Sequence, residues 1–169
     1  MKKLILLSLL CGTMLNAEPL LGTALPNLSF KLMDGGHTSL NELLKDGPVL
    51  VDFWATWCAP CKKEMIHLDK FHKKYEEYGF QVLCISTDSP KSMSKVKSYI
   101  RSKKFKFLVG LDPNQQVAQK MNALLLPTLL IINQKREVVW FHQGYLSGDE
   151  IEIEKQIRHA LNIQGEISE

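Results

Sequence analysis

Cysteine is scarce in this chain of 169 residues, with four at positions 11, 58, 61 and 84. So few thiols exclude a scaffold built on disulfides, and the fold has to rest on an apolar core, which one domain of this length can supply. An excess of one charge is lacking too. Lys and Arg number 21 against 18 Asp and Glu, and without Lys2 and Lys3 the balance falls to 19 against 18. That leaves no electrostatic case for nucleic acid or for an anionic membrane surface. Lys62-Lys63, Lys73-Lys74 and Lys103-Lys104 read as solvated helix faces. A run of the ~20 apolar residues needed to cross a bilayer is missing, since residues 4–15 give about 12. Repeats, low-complexity tracts and glycine-rich loops that cradle phosphate are absent as well, which sets aside solenoids and nucleotide sites.

What is present begins with export. Met1-Lys2-Lys3 and the apolar stretch after it have the anatomy of a secretory signal peptide over residues 1–17, with Ala17 in the small position before cleavage. Leu15, three residues from the cut, is less usual there. A lipid anchor at Cys11 is the lesser alternative, because Leu10 stands where such signals want a small side chain. The expected location is the periplasm or another extracytoplasmic space. Removing residues 1–17 leaves one cysteine pair and a lone thiol, which fits an enzyme better than a scaffold. Cys84, within Val82-Leu83-Cys84-Ile85, reads as a small buried hydrophobe; a third redox centre is the alternative.

The rest of the chain is organised around residues 49–63. Residues 49–53 form an almost unbroken apolar run, suited to a strand covered on both faces. Asp52 interrupts it, and a carboxylate there is costly unless it has a partner or a role. Trp57-Cys58-Ala59-Pro60-Cys61 follows, after which the pattern turns helical. Cys58 therefore falls on a strand-to-helix turn, where free N–H groups and the helix dipole favour a thiolate. Cys61 lies one turn further on. Thiols spaced this way form and break a disulfide with little backbone movement. A zinc site and an inert structural disulfide are the other readings of this spacing. For zinc, His67 and His72 would have to serve as ligands, yet they share the predicted helix of Cys61 and lack the reversing segment such sites need. No metal and no cofactor is expected.

These residues resemble the thioredoxin superfamily. Residues 49–62 match its active-site strand, Trp-Cys-x-Pro-Cys turn and following lysine, and Leu126-Pro127-Thr128 matches its cis-proline loop. Within the superfamily the chain looks most like the extracytoplasmic TlpA-like thiol–disulfide oxidoreductases. Leu32-Met33-Asp34-Gly35, Leu111-Asp112-Pro113 and an extra α–β unit at about 88–111 carry that narrower likeness. The resemblance implies a thioredoxin-like α/β fold, a central mixed sheet flanked by helices, with an N-terminal β-hairpin and a central α–β insert. It implies Cys58 as attacking thiolate and Cys61 as resolving thiol, the two forming the redox-active disulfide. Asp52 is the candidate base, acting through a water, and burial should raise its pKa toward neutrality. Trp57, Pro60, Leu126 and Pro127 are the implied substrate-binding residues, with Trp54 and Trp57 shielding the pair and Pro60 setting its redox poise. Ile66 stands where the family phrase Cys-x-x-Glu-Met-Pro has a helix-kinking proline. Some TlpA-like proteins place a functional Glu after the second core strand, and Asp88 is the residue here that would take its role.

The expected organisation is a signal peptide (1–17), a lead-in (18–26), one thioredoxin-like domain (27–163) and a frayed tail (164–169). Residues 28–32 alternate as a strand and turn at Asp34-Gly35-Gly36 into His37-Thr38. Ser39 and Glu42 have capping-box form and open a short helix. Met65, Leu68, Phe71, Tyr75 and Tyr78 make the buried stripe of a helix ended by Gly79, leaving His67 and His72 toward solvent. Strands are predicted at 80–85, 105–111, 124–132 and 137–142. Helices are predicted from 92 to about 100–102, with Val96, Tyr99 and Ile100 inward, and at 115–122, capped by Asp112-Pro113-Asn114. A last helix carries Ile153, Ile157 and Leu161 behind a second capping box at Ser147 and Glu150. His37 and His142 read as hairpin and edge residues.

The function this implies is a protein thiol–disulfide oxidoreductase, in the usual direction a reductase, acting on disulfide-bearing proteins outside the cytoplasm, with cytochrome c maturation as one setting. The implied partners are that substrate and a membrane thiol-transfer protein as electron donor; the expected assembly is a monomer. Two alternatives share the fold. A thiol peroxidase of the peroxiredoxin type needs a Pro-x-x-x-Thr-x-x-Cys phrase, whereas Cys58 follows Asp52-Phe53-Trp54-Ala55-Thr56-Trp57. A copper-handling assembly protein needs a wider cysteine pair and a histidine ligand.

Overall fold

The apolar run of the sequence becomes the middle of a sheet. Strand β3 (Val49–Trp54) is buried along its whole length, which explains why its residues do not alternate with polar ones. The structure, a computed structural model, describes residues 20–163, so the signal peptide expected over residues 1–17, Cys11 and the tail expected over 164–169 lie outside the described residues. In chain order the elements are β1 (Ser29–Leu32), β2 (His37–Ser39), α1 (Leu40–Leu43), β3, α2 (Ala59–Tyr75), β4 (Gln81–Ser86), α3 (Met93–Lys103), β5 (Leu108–Leu111), α4 (Gln116–Lys120), β6 (Thr128–Ile132), β7 (Val138–Gln143) and α5 (Asp149–Ala160). The seven strands run β2-β1-β5-β4-β3-β6-β7. β3, β4 and β5 are mutually parallel, while β1, β2, β6 and β7 pair antiparallel with their neighbours. The mixed sheet, the N-terminal hairpin and the α3–β5 insert are those the sequence implied.

Alternation along β3 divides the core in two. Leu50 and Trp54 face one layer with Met65, Leu68 and Phe71 of α2, Val96 and Ile100 of α3, and Ile153 and Ile157 of α5. Val49, Val51 and Phe53 face the other, with Leu40 and Leu43 of α1 and Ala118 of α4. Asp52 shares the parity of Leu50 and Trp54 and so lies under α2. No helix among the described residues is long and apolar enough to cross a membrane.

Local chemistry sets the ends of the elements. The Ser39 hydroxyl accepts from Glu42 N–H while Glu42 accepts from Ser39 N–H, closing the expected capping box. Asp112 caps α4 from outside it, accepting from Val117 N–H at 3.0 Å and Ala118 N–H at 2.8 Å. After α2 a single 3-10 turn (Glu76–Tyr78) leads to Gly79, which takes the left-handed conformation at φ 81°. A Cβ there would overlap the Asp46 carbonyl, because the Gly47 and Gly79 backbones pass in contact. Gly79→Ala is therefore expected to lower unfolding free energy by at least about 2 kcal/mol. Urea melts should show the loss with an unchanged slope; a change within ~0.5 kcal/mol would contradict it.

Several expectations are corrected. The Ser147–Glu150 capping box does not form. Gly148 occupies the cap position at φ 111° without a side-chain cap bond, and Glu150 accepts instead from Gly148 N–H at 2.8 Å and Tyr145 O–H at 2.7 Å. Tyr78 falls on the 3-10 turn after α2 has lost its register, and is exposed rather than part of the stripe. β5 begins only at Leu108: Phe105 and Phe107 stack on each other, centroids 4.8 Å apart, outside the ladder. β6 begins at Thr128, leaving Leu124 and Leu125 exposed. His67 and His72 are half-buried, His67 lying 6.2 Å from the Tyr145 ring. Residues 20–26 are tied to the edge of β7 by bridges from Leu21 to Val138 and from Ala24 to Glu137.

Candidate active site

β3 ends at Trp54, and the chain reverses through residues 55–58 in a turn closed by Cys58 N–H to the Ala55 carbonyl at 3.0 Å. Cys58 is the N-cap of α2, its backbone extended, with Pro60 within the first turn. Its Sγ accepts from Cys61 N–H at 3.3 Å, and the two cysteines form a disulfide across a Cα separation of 5.4 Å. The first turn of α2 contains no acidic side chain, so nothing there opposes a thiolate at the positive end of the helix dipole. Cys58 is 4 % exposed and Cys61 fully buried, whereas Trp57 between turn and helix is 74 % exposed. Trp54 is a core residue, its ring 5.5 Å from that of Tyr99 and tilted to it by 45°; Trp57 alone of the two forms the rim.

The β3–β6 register brings the second half of the site alongside. Phe53 pairs with Thr128, so Pro127 and Leu126 continue next to the turn that carries Cys58. The Leu126–Pro127 peptide bond is cis. Gly144 N–H donates to the Pro127 carbonyl at 2.9 Å and Thr128 Oγ1 to the Leu125 carbonyl at 2.6 Å, holding the loop from both sides. A groove of about 500 Å³ runs from Trp57 past Asp88 and Ser89 to Leu124, Leu125 and Leu126. Leu124, Leu125 and Trp57 make its lips apolar and exposed.

Behind the disulfide lie two carboxyls that the fold keeps from water. Asp52 is fully buried, and neither of its oxygens has a hydrogen bond of good geometry. Its register partner on β4 is Cys84, a buried free thiol. Burial pushes the Asp52 carboxyl up to about 7, and the Cys84 thiol beside it pulls slightly the other way. Glu64, one helical turn after Cys61, is likewise fully buried with neither oxygen satisfied. Burial first, then the charges of Asp52 and Asp149, hold it protonated well above the ordinary glutamate range. Burial and the Asp52 carboxylate also push the Cys84 thiol up, which keeps it a thiol rather than a thiolate.

Cys58, Cys61, Pro60, Trp57, Leu126, Pro127 and Asp52 thus gather at the carboxyl ends of the parallel strands, where open α/β sheets place their sites. Glu64 was not singled out from the sequence. Its signal was there: it sits three residues from Cys61 and four from Leu68, on the inward stripe of α2. Asp88 is buried and committed, accepting from Thr56 N–H at 2.7 Å, Thr56 O–H at 2.6 Å and Ser86 O–H at 3.0 Å.

Comparison with known proteins agrees with this geometry. The profile of the AhpC/TSA family matches residues 21–141. The "Thioredoxin-like protein YneN" of Bacillus subtilis is 30% identical over 131 residues, covering 78% of this chain and 76% of that one. The "Thiol-disulfide oxidoreductase ResA" of Bacillus thuringiensis is 30% identical over 119 residues, covering 70% and 67%. A crystal structure from Chlorobium tepidum, described as a thiol:disulfide interchange protein DsbE, superposes with a TM-score of 0.76 at 26% identity, covering 83% of this chain and 96% of its own. The chain belongs to the AhpC/TSA family, as a thioredoxin-fold member of the thiol–disulfide oxidoreductase group.

Proposed function

We propose that this protein reduces disulfides of other proteins outside the cytoplasm. Its substrates are exported polypeptides bearing cysteine pairs, apocytochrome c among them, and a membrane thiol-transfer protein returns it to the dithiol. The observation that carries the reading is a Cys-x-x-Cys disulfide at the N-cap of α2, beside a groove with apolar lips and over two buried carboxyls.

In the reducing direction the Cys58 thiolate attacks one sulfur of the substrate disulfide. An S–S bond forms between them, and the other substrate sulfur leaves as a thiolate and takes up a proton. Cys61 then loses its proton, attacks Cys58 Sγ and displaces the second substrate thiolate. The substrate gains two electrons, and the protein is left with the Cys58–Cys61 disulfide. Asp52 takes the Cys61 proton, since of the two buried carboxyls it is the one whose titration lies near neutrality. Glu64 keeps its proton through the cycle. Leu126, Pro127, Trp57 and Pro60 receive the extended substrate backbone and its apolar side chains. The leader pattern over residues 1–17 supports an extracytoplasmic setting.

The function is tested by isolating Cys61→Ala from cells under non-reducing conditions. Exported proteins with cysteine pairs, held to Cys58 and released by reductant, are expected. Recovery of cytoplasmic proteins only, or a Cys58 that consumes hydroperoxide and binds no protein, would overturn it.

A further inference from the structure

Resting on the oxidoreductase reading above, we propose that Asp88 is a positioning residue, a latch that grips Thr56 and keeps Cys58 Sγ aimed at the end of α2. The turn at 55–58 satisfies Cys58 N–H on Ala55 O, but a turn leaves the N–H of its second residue without a partner. That residue is Thr56. The β3–β4 ladder ends just short of it, with Thr87 N–H on the Trp54 carbonyl at 2.9 Å. Asp88 extends the pairing by one residue through its side chain, taking Thr56 N–H at 2.7 Å and Thr56 O–H at 2.6 Å. Ser86 braces the carboxylate from behind: its hydroxyl donates to Asp88 at 3.0 Å, and Asp88 N–H donates to the Ser86 oxygen at 3.2 Å.

The latch acts through Cys58. Two residues beyond Thr56, the Cys58 sulfur sits 3.3 Å from Cys61 N–H, and a bond to that N–H stabilises the thiolate over the thiol. Such a bond weakens steeply as its angle opens, so a turn freed at Thr56 loses thiolate. The same carboxylate lies on the wall of the groove with Trp57 and Leu124, so nucleophile and receiving surface are fixed to one group. The negative charge of Asp88 by itself opposes a thiolate, and substitutions therefore separate geometry from charge.

The test is the rate of iodoacetamide alkylation at Cys58 of the reduced full chain, followed against pH and assigned by mass spectrometry. For Asp88→Ala, the Cys58 titration is expected to move up by about one pH unit, with up to about tenfold less thiolate at pH values below it. Thr56→Val, which keeps the N–H bond and loses the hydroxyl, should move it part of the way. Asp88→Asn should stay closer to the parent, because its amide oxygen still accepts Thr56 N–H. Superimposed profiles for parent, Asp88→Ala and Thr56→Val overturn the latch, as does a downward shift in Asp88→Ala. Should Asp88→Ala fail to fold, Thr56→Val decides on the same readout. A parent protein that reduces insulin while these profiles coincide loses only the latch; one that shifts as expected but reduces no protein disulfide keeps the latch and loses the function.

Discussion

Alanine at Cys58 is expected to lower the reduction of insulin disulfides by about 1,000-fold or more, to the uncatalysed rate, because the attacking atom itself is gone. Alanine at Cys61 should give a different defect. The first exchange survives, since Cys58 keeps its place at the helix N-terminus, but nothing displaces the substrate from the mixed disulfide. One insulin chain per protein should accumulate on Cys58, with catalytic turnover lost. Mass spectrometry under non-reducing conditions reads both outcomes. Normal turnover by Cys58→Ala, or an adduct on Cys84 in the Cys61 variant, would contradict the assignment of roles. Cys84 is not expected to substitute, since it is fully buried and its thiol is held protonated.

The second large effect is on stability. Asp52 and Glu64 hold protons in the folded state at a pH where the unfolded chain has released them, because burial raises both. The folded state then binds more protons than the unfolded one, so stability falls as pH rises from about 4, through about 7 where Asp52 ionises and on toward about 10 where Glu64 does. Asp52→Asn removes one of these groups and is expected to raise unfolding free energy at neutral pH by on the order of 3 kcal/mol, with the gain fading toward pH 4. Glu64→Gln should act in the same direction. The two gains should add to less than their sum, since each carboxylate raises the cost of the other. Urea unfolding of the oxidised protein across this range measures it; a gain that is equal at pH 4, or a loss at neutral pH, would contradict the burial argument. The same Asn variant should also flatten the rise, through about pH 7, in the rate at which the mixed disulfide is released.

How much of this was legible from the chain follows the range of the interactions. Cys58, Pro60 and Cys61 could be placed on their turn because strand, turn and helix signals are local and adjacent. Pro127 could be placed because Leu126-Pro127-Thr128, a short contiguous phrase, resembles the cis-proline loop of the thioredoxin superfamily. The Asp112 cap and the Ser39–Glu42 box were readable because their signals are local as well. The inward place of Glu64 on α2 was readable from its spacing to Cys61 and Leu68, but its closeness to Asp52 and Asp149 was not, because that arises only when α2 docks on the sheet and on α5. Nor was the Asp88–Thr56 contact, which joins residues 32 apart in sequence. The failed box at Ser147 shows a local pattern overruled: Gly148 in the left-handed region moves the helix start by one residue and turns Glu150 to Tyr145.

The most direct test is stoichiometric. Fully reduced protein is mixed with excess insulin in the absence of oxygen, and every sulfur is then counted. Two insulin thiols per protein, a Cys58–Cys61 disulfide and an unmodified Cys84 thiol are the expected result. A Cys58–Cys61 pair that stays reduced until hydroperoxide is added, or a disulfide that includes Cys84, would contradict it.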